Sequence, residues 1–219
     1  MGKSEKQATL QKYVLSRKMR LDGKGKNRTA DRRKDIVSTQ NLVLIGLMAA
    51  IICIAGPESL NLPFTPVPVS LTNLAIYFIL YVVGTKRTVI SYCIYLLLGF
   101  AGLPVFSNFS GGLQKLIGPT GGYLVGFILM AVISGFFIDR WYARPVIAFA
   151  GMWAGKVVSA TFGTIWLAYS TNLTFTASLA AGVTPFLIGD LVKTIIVAIV
   201  GPVIRKNLNR AGVVEEYSI

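Results

Sequence analysis

Beyond residue 40 the sequence is dominated by six long apolar runs, at 40–55, 67–83, 88–103, 121–138, 145–169 and 183–204. A helix of roughly 20 apolar residues, within a range of about 17–25, spans the hydrocarbon core of a bilayer. These runs are continuously apolar rather than alternating, which selects helices over a barrel as the way to satisfy backbone polar groups in lipid. The prediction is an all-α membrane protein with six transmembrane helices. The first run is short and draws on its polar flank VSTQ or on the Pro-rich segment that follows. Trp141, Tyr142, Trp166 and Tyr169 fall at run ends, where amphipathic rings favour the membrane interface.

Charge placement fixes the class further. The formal charge of +13 resembles that of a nucleic-acid binder, but 12 of the 22 Lys and Arg lie in residues 1–40, with 4 of the 9 acids. The excess belongs to a tail. Overall only 14% of residues are charged, against about 25% in a typical soluble chain. No nucleic-acid partner is expected; the lipid bilayer is. Six crossings put both termini on one side, together with Lys86, Arg87, Arg140, Arg144, Arg205, Lys206 and Arg210. That side then holds 19 basic residues and the other only Lys115, a positive-inside pattern that predicts cytoplasmic termini and a multi-pass protein of the cytoplasmic membrane. The organisation expected is a basic, disordered, solvated tail at 1–39, a six-helix transmembrane domain at 40–206, and a short cytoplasmic tail at 207–219. The first run starts too late, with no clean cleavage site after it, to be a secretory signal. It reads as a retained span.

The two longest outer connections are unusual. GPESLNLPFTPVPVS (56–70) carries four prolines, and PVFSNFSGGLQKLIGPTGG (104–122) carries five glycines and two more prolines. Irregular backbone near a membrane persists where protein or water satisfies its polar groups. Both segments are predicted to fold back over a cavity as lids.

Inside the runs, charge is scarce and therefore informative. Asp190 and Lys193 are three apart in LIGDLVKTIIVAIVG and share a helix face. At about 1.5 Å per residue they lie roughly 10 and 15 Å in from the end of the run at residue 183. Ionisable groups at such depth face the bundle interior and read as functional; the bland alternative is a self-neutralising structural pair. A carboxylate acceptor beside an ammonium donor suits a polar head bearing both N–H and C=O. Lys156, in GMWAGKVVSATFG, has three readings that its residues leave open: lining the same cavity, snorkelling along its helix, or meeting a partner subunit. Gly46 and Ala50, four apart in the first run, let another helix approach closely.

Absences narrow the chemistry. The chain has no His, hence no Ser/His or Cys/His nucleophile pair. Cys53 and Cys93 lie in apolar runs as packing residues. No carboxylate cluster offers a metal site, and no G-x-x-x-x-G-K-[ST] loop is present to hold ATP. No cofactor, metal or enzymatic activity is expected.

Three segments, PFTPVPVSLTNLAIYF (63–78), YLLLGFAGLPVFSNFSGGLQKLIGPTGGYLVGF (95–127) and GDLVKTIIVAIVG (189–201), resemble the BioY family, the biotin-specific S components of energy-coupling factor (ECF) vitamin transporters. The resemblance extends over about 40–206. It implies the S-component fold, with six helices and a biotin site toward the outer face capped by the two loops. It further implies that Asp190 accepts a ureido N–H and that Lys193 donates to the ureido carbonyl, with Asn108 as a third polar contact. Tyr123, Phe106 and Phe109 would pack on the thiophane ring and valeryl chain; on charge alone, Lys115 or a backbone N–H is expected to meet the valerate carboxylate. The partners implied are a transmembrane coupling subunit (the T component), reached through Gly46 and Ala50, and two ATPase subunits. The basic tail and Lys156 stand outside the family pattern.

The leading expectation is thus a non-enzymatic component for high-affinity biotin binding and uptake. The alternative is a self-sufficient secondary carrier for a small organic anion, which internal inverted repeats would favour; none is evident. An intramembrane enzyme using Asp190 as acid or base is a third reading, weakened because the chain offers one isolated Asp/Lys pair and no His.

Overall fold

The computed structural model of the chain describes residues 39–60, 63, 65 and 67–210. The predicted tails, apart from Thr39 and residues 207–210, lie outside the described residues, as do four positions of the first lid, 61, 62, 64 and 66. The elements are α1 (Thr39–Ala55), β1 (Ser59–Leu60), β2 (Val69–Ser70), α2 (Thr72–Phe100), α3 (Leu113–Ile117), α4 (Gly121–Trp141), α5 (Pro145–Thr171), α6 (Phe175–Gly182), a 3-10 turn at Thr184–Phe186, and α7 (Leu187–Arg210). The chain divides into a unit ending at Val43 and a second from Leu44 onward; the packing below belongs to the second.

Among the described residues four helical stretches are long and apolar enough to cross a membrane: Thr72–Phe100, Gly121–Trp141, Pro145–Thr171 and Phe175–Arg210. The first is two arms. Gly84 sits at φ 77°, ψ 173° within α2, a backbone region essentially reserved for glycine. A straight helix at about 1.5 Å per residue would hold Thr72 and Tyr95 roughly 35 Å apart. Instead, Ser70 Oγ donates to the Gly56 carbonyl at 3.4 Å, and the Tyr95 hydroxyl packs on the same Gly56. The arms 72–83 and 85–100 therefore fold back on one another, as the second and third predicted runs require.

The turn is fastened by a carboxylate. Asp139 of α4 accepts from Thr85 N at 3.0 Å and from Thr85 Oγ1 at 2.6 Å. It also pairs with Arg205 of α7 at 3.0 Å, whose guanidinium lies 5.0 Å from the centre of the Tyr142 ring. A negative charge at the start of a helical arm is favourable because the first N–H groups there have no intrahelical acceptor.

Two forces hold the rods together. Tyr77, Tyr81, Tyr92 and Tyr95, all fully buried, fill the core of the α2 hairpin. Tyr77 and Tyr92 donate out of it to neighbouring helices, to the carbonyls of Met152 on α5 (3.1 Å) and Leu124 on α4 (2.7 Å). The most extensive packing is α4 against α5, along Gly151, Gly155, Ser159 and Gly163 of α5, spaced every fourth residue. A Cβ on Gly155 would meet Ser134, and one on Gly163 would meet the Tyr123 ring. Small residues at this spacing let two backbones approach where lipid gives no hydrophobic drive for association. Outward, Ile188, Val192, Ile195, Ile199 and Val203 form an exposed apolar stripe on α7.

Two boundaries differ from the sequence reading. The second run enters α2 only at Thr72, because Val69 and Ser70 pair with β1 across a two-residue antiparallel ladder. The last long helix begins at Leu187 rather than 183, since the segment before it breaks into α6, capped by the Thr174 side chain, and a 3-10 turn carrying Pro185. Asp190 consequently lies in the first turn of α7.

Replacing Gly84 by Ala forces a Cβ into its glycine-only conformation. The expected loss is about 1–3 kcal/mol, read as a lowered thermal unfolding midpoint of the detergent-solubilised protein. An unchanged midpoint would show that the turn is not strained by a side chain.

Candidate ligand-binding site

A cavity lies at the end of the bundle that carries the long connections. It offers ≈ 110 Å³ to the centre of a water-sized sphere, where a single water needs about 10–15 Å³, so it has room for a small organic molecule. The first connection and the start of α2 contribute Val67, Pro68, Ser70, Thr72 and Asn73, while the second contributes Ser107 and Thr120. α4 adds Tyr123 and Phe127; α5 adds Trp153, Lys156, Val157 and Ala160. The final wall is Phe186, Leu187, Asp190 and Lys193. Both predicted lids thus reach the cavity.

One wall is charged. Asp190 is 5% exposed and its carboxylate is held on both oxygens. Oδ1 accepts from Asn73 Nδ2 at 2.8 Å and lies 3.5 Å from Lys193 Nζ. Oδ2 pairs with Lys156 Nζ at 2.5 Å. Lys193 donates in turn to the Ser70 carbonyl at 3.0 Å and toward Asn73 Oδ1 at 3.5 Å. Helix geometry delivers these groups: Asp190 and Lys193 share a face of α7 as their spacing predicts, and the carboxylate gains from the α7 N-terminus. On α5, positions 153, 156, 157 and 160 form one face, which fixes Lys156 to the cavity rather than to lipid. Of the three readings left open for Lys156, the structure selects the first.

Another part of the lining is apolar. Tyr123, Val67 and Leu167 pack as a buried cluster with Phe186 beside them. The Tyr123 ring lies over Gly163, with its hydroxyl 3.3 Å from Thr164 Oγ1. A planar polar head can meet the charged wall while its apolar remainder lies on these rings.

Not every predicted residue reaches the cavity. Asp190, Lys193 and Tyr123 do. Phe106 is fully buried, its ring edge-on to Tyr95 at 5.4 Å and against Gly99, so it anchors the second lid from behind. Asn108, at φ 62°, ties the two lids together: its backbone N–H donates to the Pro57 carbonyl at 3.1 Å, and its Oδ1 accepts from Ser59 Oγ at 2.9 Å. Phe109 is exposed. Lys115, on α3, is half-buried away from the cavity lining, and desolvation lowers its ammonium pKa. Gly46 and Ala50 are exposed on α1, and the place of a Gly46 Cβ is open. Asn73 was missed in the sequence. Its signal was an amide just inside an apolar run, which reads like a polar flank. Among the described residues no group of three potential metal ligands occurs.

Comparison with known proteins agrees on one family. The family model described as the BioY family matches residues 27–210. The Biotin transporter BioY2 of Lactococcus lactis is 34% identical over 78% of this chain and 93% of its own length. The Biotin transporter BioY of Thermotoga maritima is 32% identical over 76% and 96%, and that of Rhizobium etli 36% over 75% and 92%. Among solved structures, the S component for biotin from an ECF-type ABC transporter superposes with a TM-score of 0.66 at 28% identity, covering 75% of this chain and 90% of that one.

Replacing Asn73 by Ala removes the donor to Asp190 Oδ1 and leaves a buried carboxylate oxygen short of a partner. A loss of about 1–3 kcal/mol is expected, measured by thermal unfolding in detergent.

Proposed function

The chain belongs to the BioY family, and from that membership we propose that it binds biotin in the cavity described above and serves biotin uptake as the S component of an ECF-type transporter. The observation that carries the reading is the Asp190, Lys193 and Asn73 cluster set on the wall of a cavity whose other wall is aromatic and aliphatic. A ureido ring presents N–H donors and a carbonyl acceptor on one rigid edge. Asp190 accepts an N–H, Lys193 or the Asn73 amide donates to the carbonyl, and Tyr123, Phe127 and Trp153 enclose the thiophane ring and chain. Asn108 holds the two lids in register above the site, and Phe109 and Lys115 lie on the same lid, as candidates for the valeryl chain and its carboxylate.

Six crossings, counting the two arms of α2 separately, put the basic ends of the helices on one face with both termini cytoplasmic and the cavity toward the opposite side. Chemistry is left to partners: a transmembrane coupling subunit docking on the α1 face around Gly46 and Ala50, and two ATPase subunits beneath it. No step in this chain makes or breaks a covalent bond.

Isothermal titration of the purified full chain with biotin, beside riboflavin and thiamine, tests the assignment. One equivalent of biotin should bind and the other vitamins should not. Asp190→Ala and Lys193→Ala should each weaken biotin by roughly 10- to 100-fold, as expected for breaking a buried charge-assisted contact. Unchanged affinity in both variants places the site elsewhere.

A further inference from the structure

The cavity wall does not balance its charge. The described residues hold three acids, Glu58, Asp139 and Asp190. Asp139 is paired with Arg205 on α7, and Glu58 is exposed and does not line the cavity. Asp190 alone therefore answers two ammonium groups, Lys156 at 2.5 Å and Lys193 at 3.5 Å, and among the described residues these three are the charged ones lining the cavity. An Asp/Lys pair three apart on α7 would be neutral by itself; Lys156 is the surplus. An unbalanced charge in a poorly hydrated interior is unfavourable until a counter-charge arrives.

The two lysines are also used differently. Lys193 spends its donors on the Ser70 carbonyl, Asn73 Oδ1 and Asp190, which fixes it as part of the scaffold. Lys156 reaches from the middle of α5, one residue from Gly155, where α5 is locked against Ser134 of α4. It touches the cluster through Asp190 Oδ2 and keeps 20% of its side chain accessible, on the same helix face as Trp153, Val157 and Ala160.

We propose that Lys156 sets the charge selectivity of the cavity: its ammonium leaves the wall with one positive charge in excess, which the carboxylate of an incoming organic monoanion neutralises. This deepens the biotin assignment and rests on it. The ureido contacts recognise the ring, and the excess charge distinguishes the free acid from uncharged analogues of the same ring. A unit charge about 6–10 Å from a carboxylate, at an effective dielectric near 20, corresponds to roughly 10- to 100-fold in binding.

The experiment is a titration of the full chain in detergent with biotin and with biotin methyl ester, for the wild type, Lys156→Gln and Lys156→Arg. The wild type should favour the acid by at least about tenfold. Lys156→Gln should bring the two affinities close together, chiefly by weakening the acid, and Lys156→Arg should restore the preference. If Lys156 only props Asp190, Lys156→Gln weakens acid and ester alike and their ratio stays put; that overturns the inference. Equal wild-type affinities overturn it without reference to any variant. Wild-type binding of neither probe removes the biotin assignment and this inference together, whereas binding of both at an unchanged ratio removes the inference alone.

Discussion

The ionised carboxylate of Asp190 organises the upper half of this molecule. Buried among apolar helices, it is tolerable only because α2 sends Asn73, α5 sends Lys156 and α7 sends Lys193 to meet it. The Asn73 and Lys156 contacts tie α2 and α5 to the same point on α7. Lys193 extends the tie to the Ser70 carbonyl, and Ser70 carries it to Gly56 at the end of α1. A cost that would rule out the residue in a plain bundle becomes the reason four elements converge beside a cavity. At the other end Asp139 does the same on a smaller scale, joining the Gly84 turn, α4 and α7.

Between these two polar knots the bundle relies on close fit. The row Gly151, Gly155, Ser159 and Gly163 seats α5 against α4, and the buried tyrosines of α2 hydrogen-bond to backbone carbonyls of both. The fit has a functional side. Gly163 makes room for the Tyr123 ring, and Gly155 sets the rotation of α5 that aims Lys156 inward. Packing and the lining of the cavity are therefore set by adjacent residues of one helix.

Much of this was legible in the sequence, for identifiable reasons. Hydrophobic runs register helices because lipid removes the alternatives, and Asp190 and Lys193 stand out because charge inside such a run is rare. The Gly84 turn falls where the second and third runs part. What escaped was long-range pairing. Nothing near Lys156 announces that its partner lies on another helix, and Asn73 looks like a flank until Asp190 is beside it. The regular row of small residues in α5 was present in plain text, stronger than the Gly46 and Ala50 pair, yet spacing alone does not say which neighbour it fits. Phe106 shows the converse limit: an aromatic in a Gly-rich loop reads as a lid contact, and only packing against Gly99 reveals an anchor. The start of α7 moved for a local reason, since a Thr-Pro pair preceded by a capped short helix interrupts a stretch that is apolar throughout.

The Asn73 to Asp190 bond joins residues 117 apart in the chain, and this separation has a bearing on biogenesis. The amide is made early, the Lys156 ammonium later, and the carboxylate that both require only with the final helix. Until that helix arrives, the growing protein holds an unmatched cation and an unmatched amide at membrane depth, where each is costly. α7 thus brings its carboxylate to polar groups that α2 and α5 have already supplied, and the side chains that seat this helix in the bundle are the same ones that line the cavity.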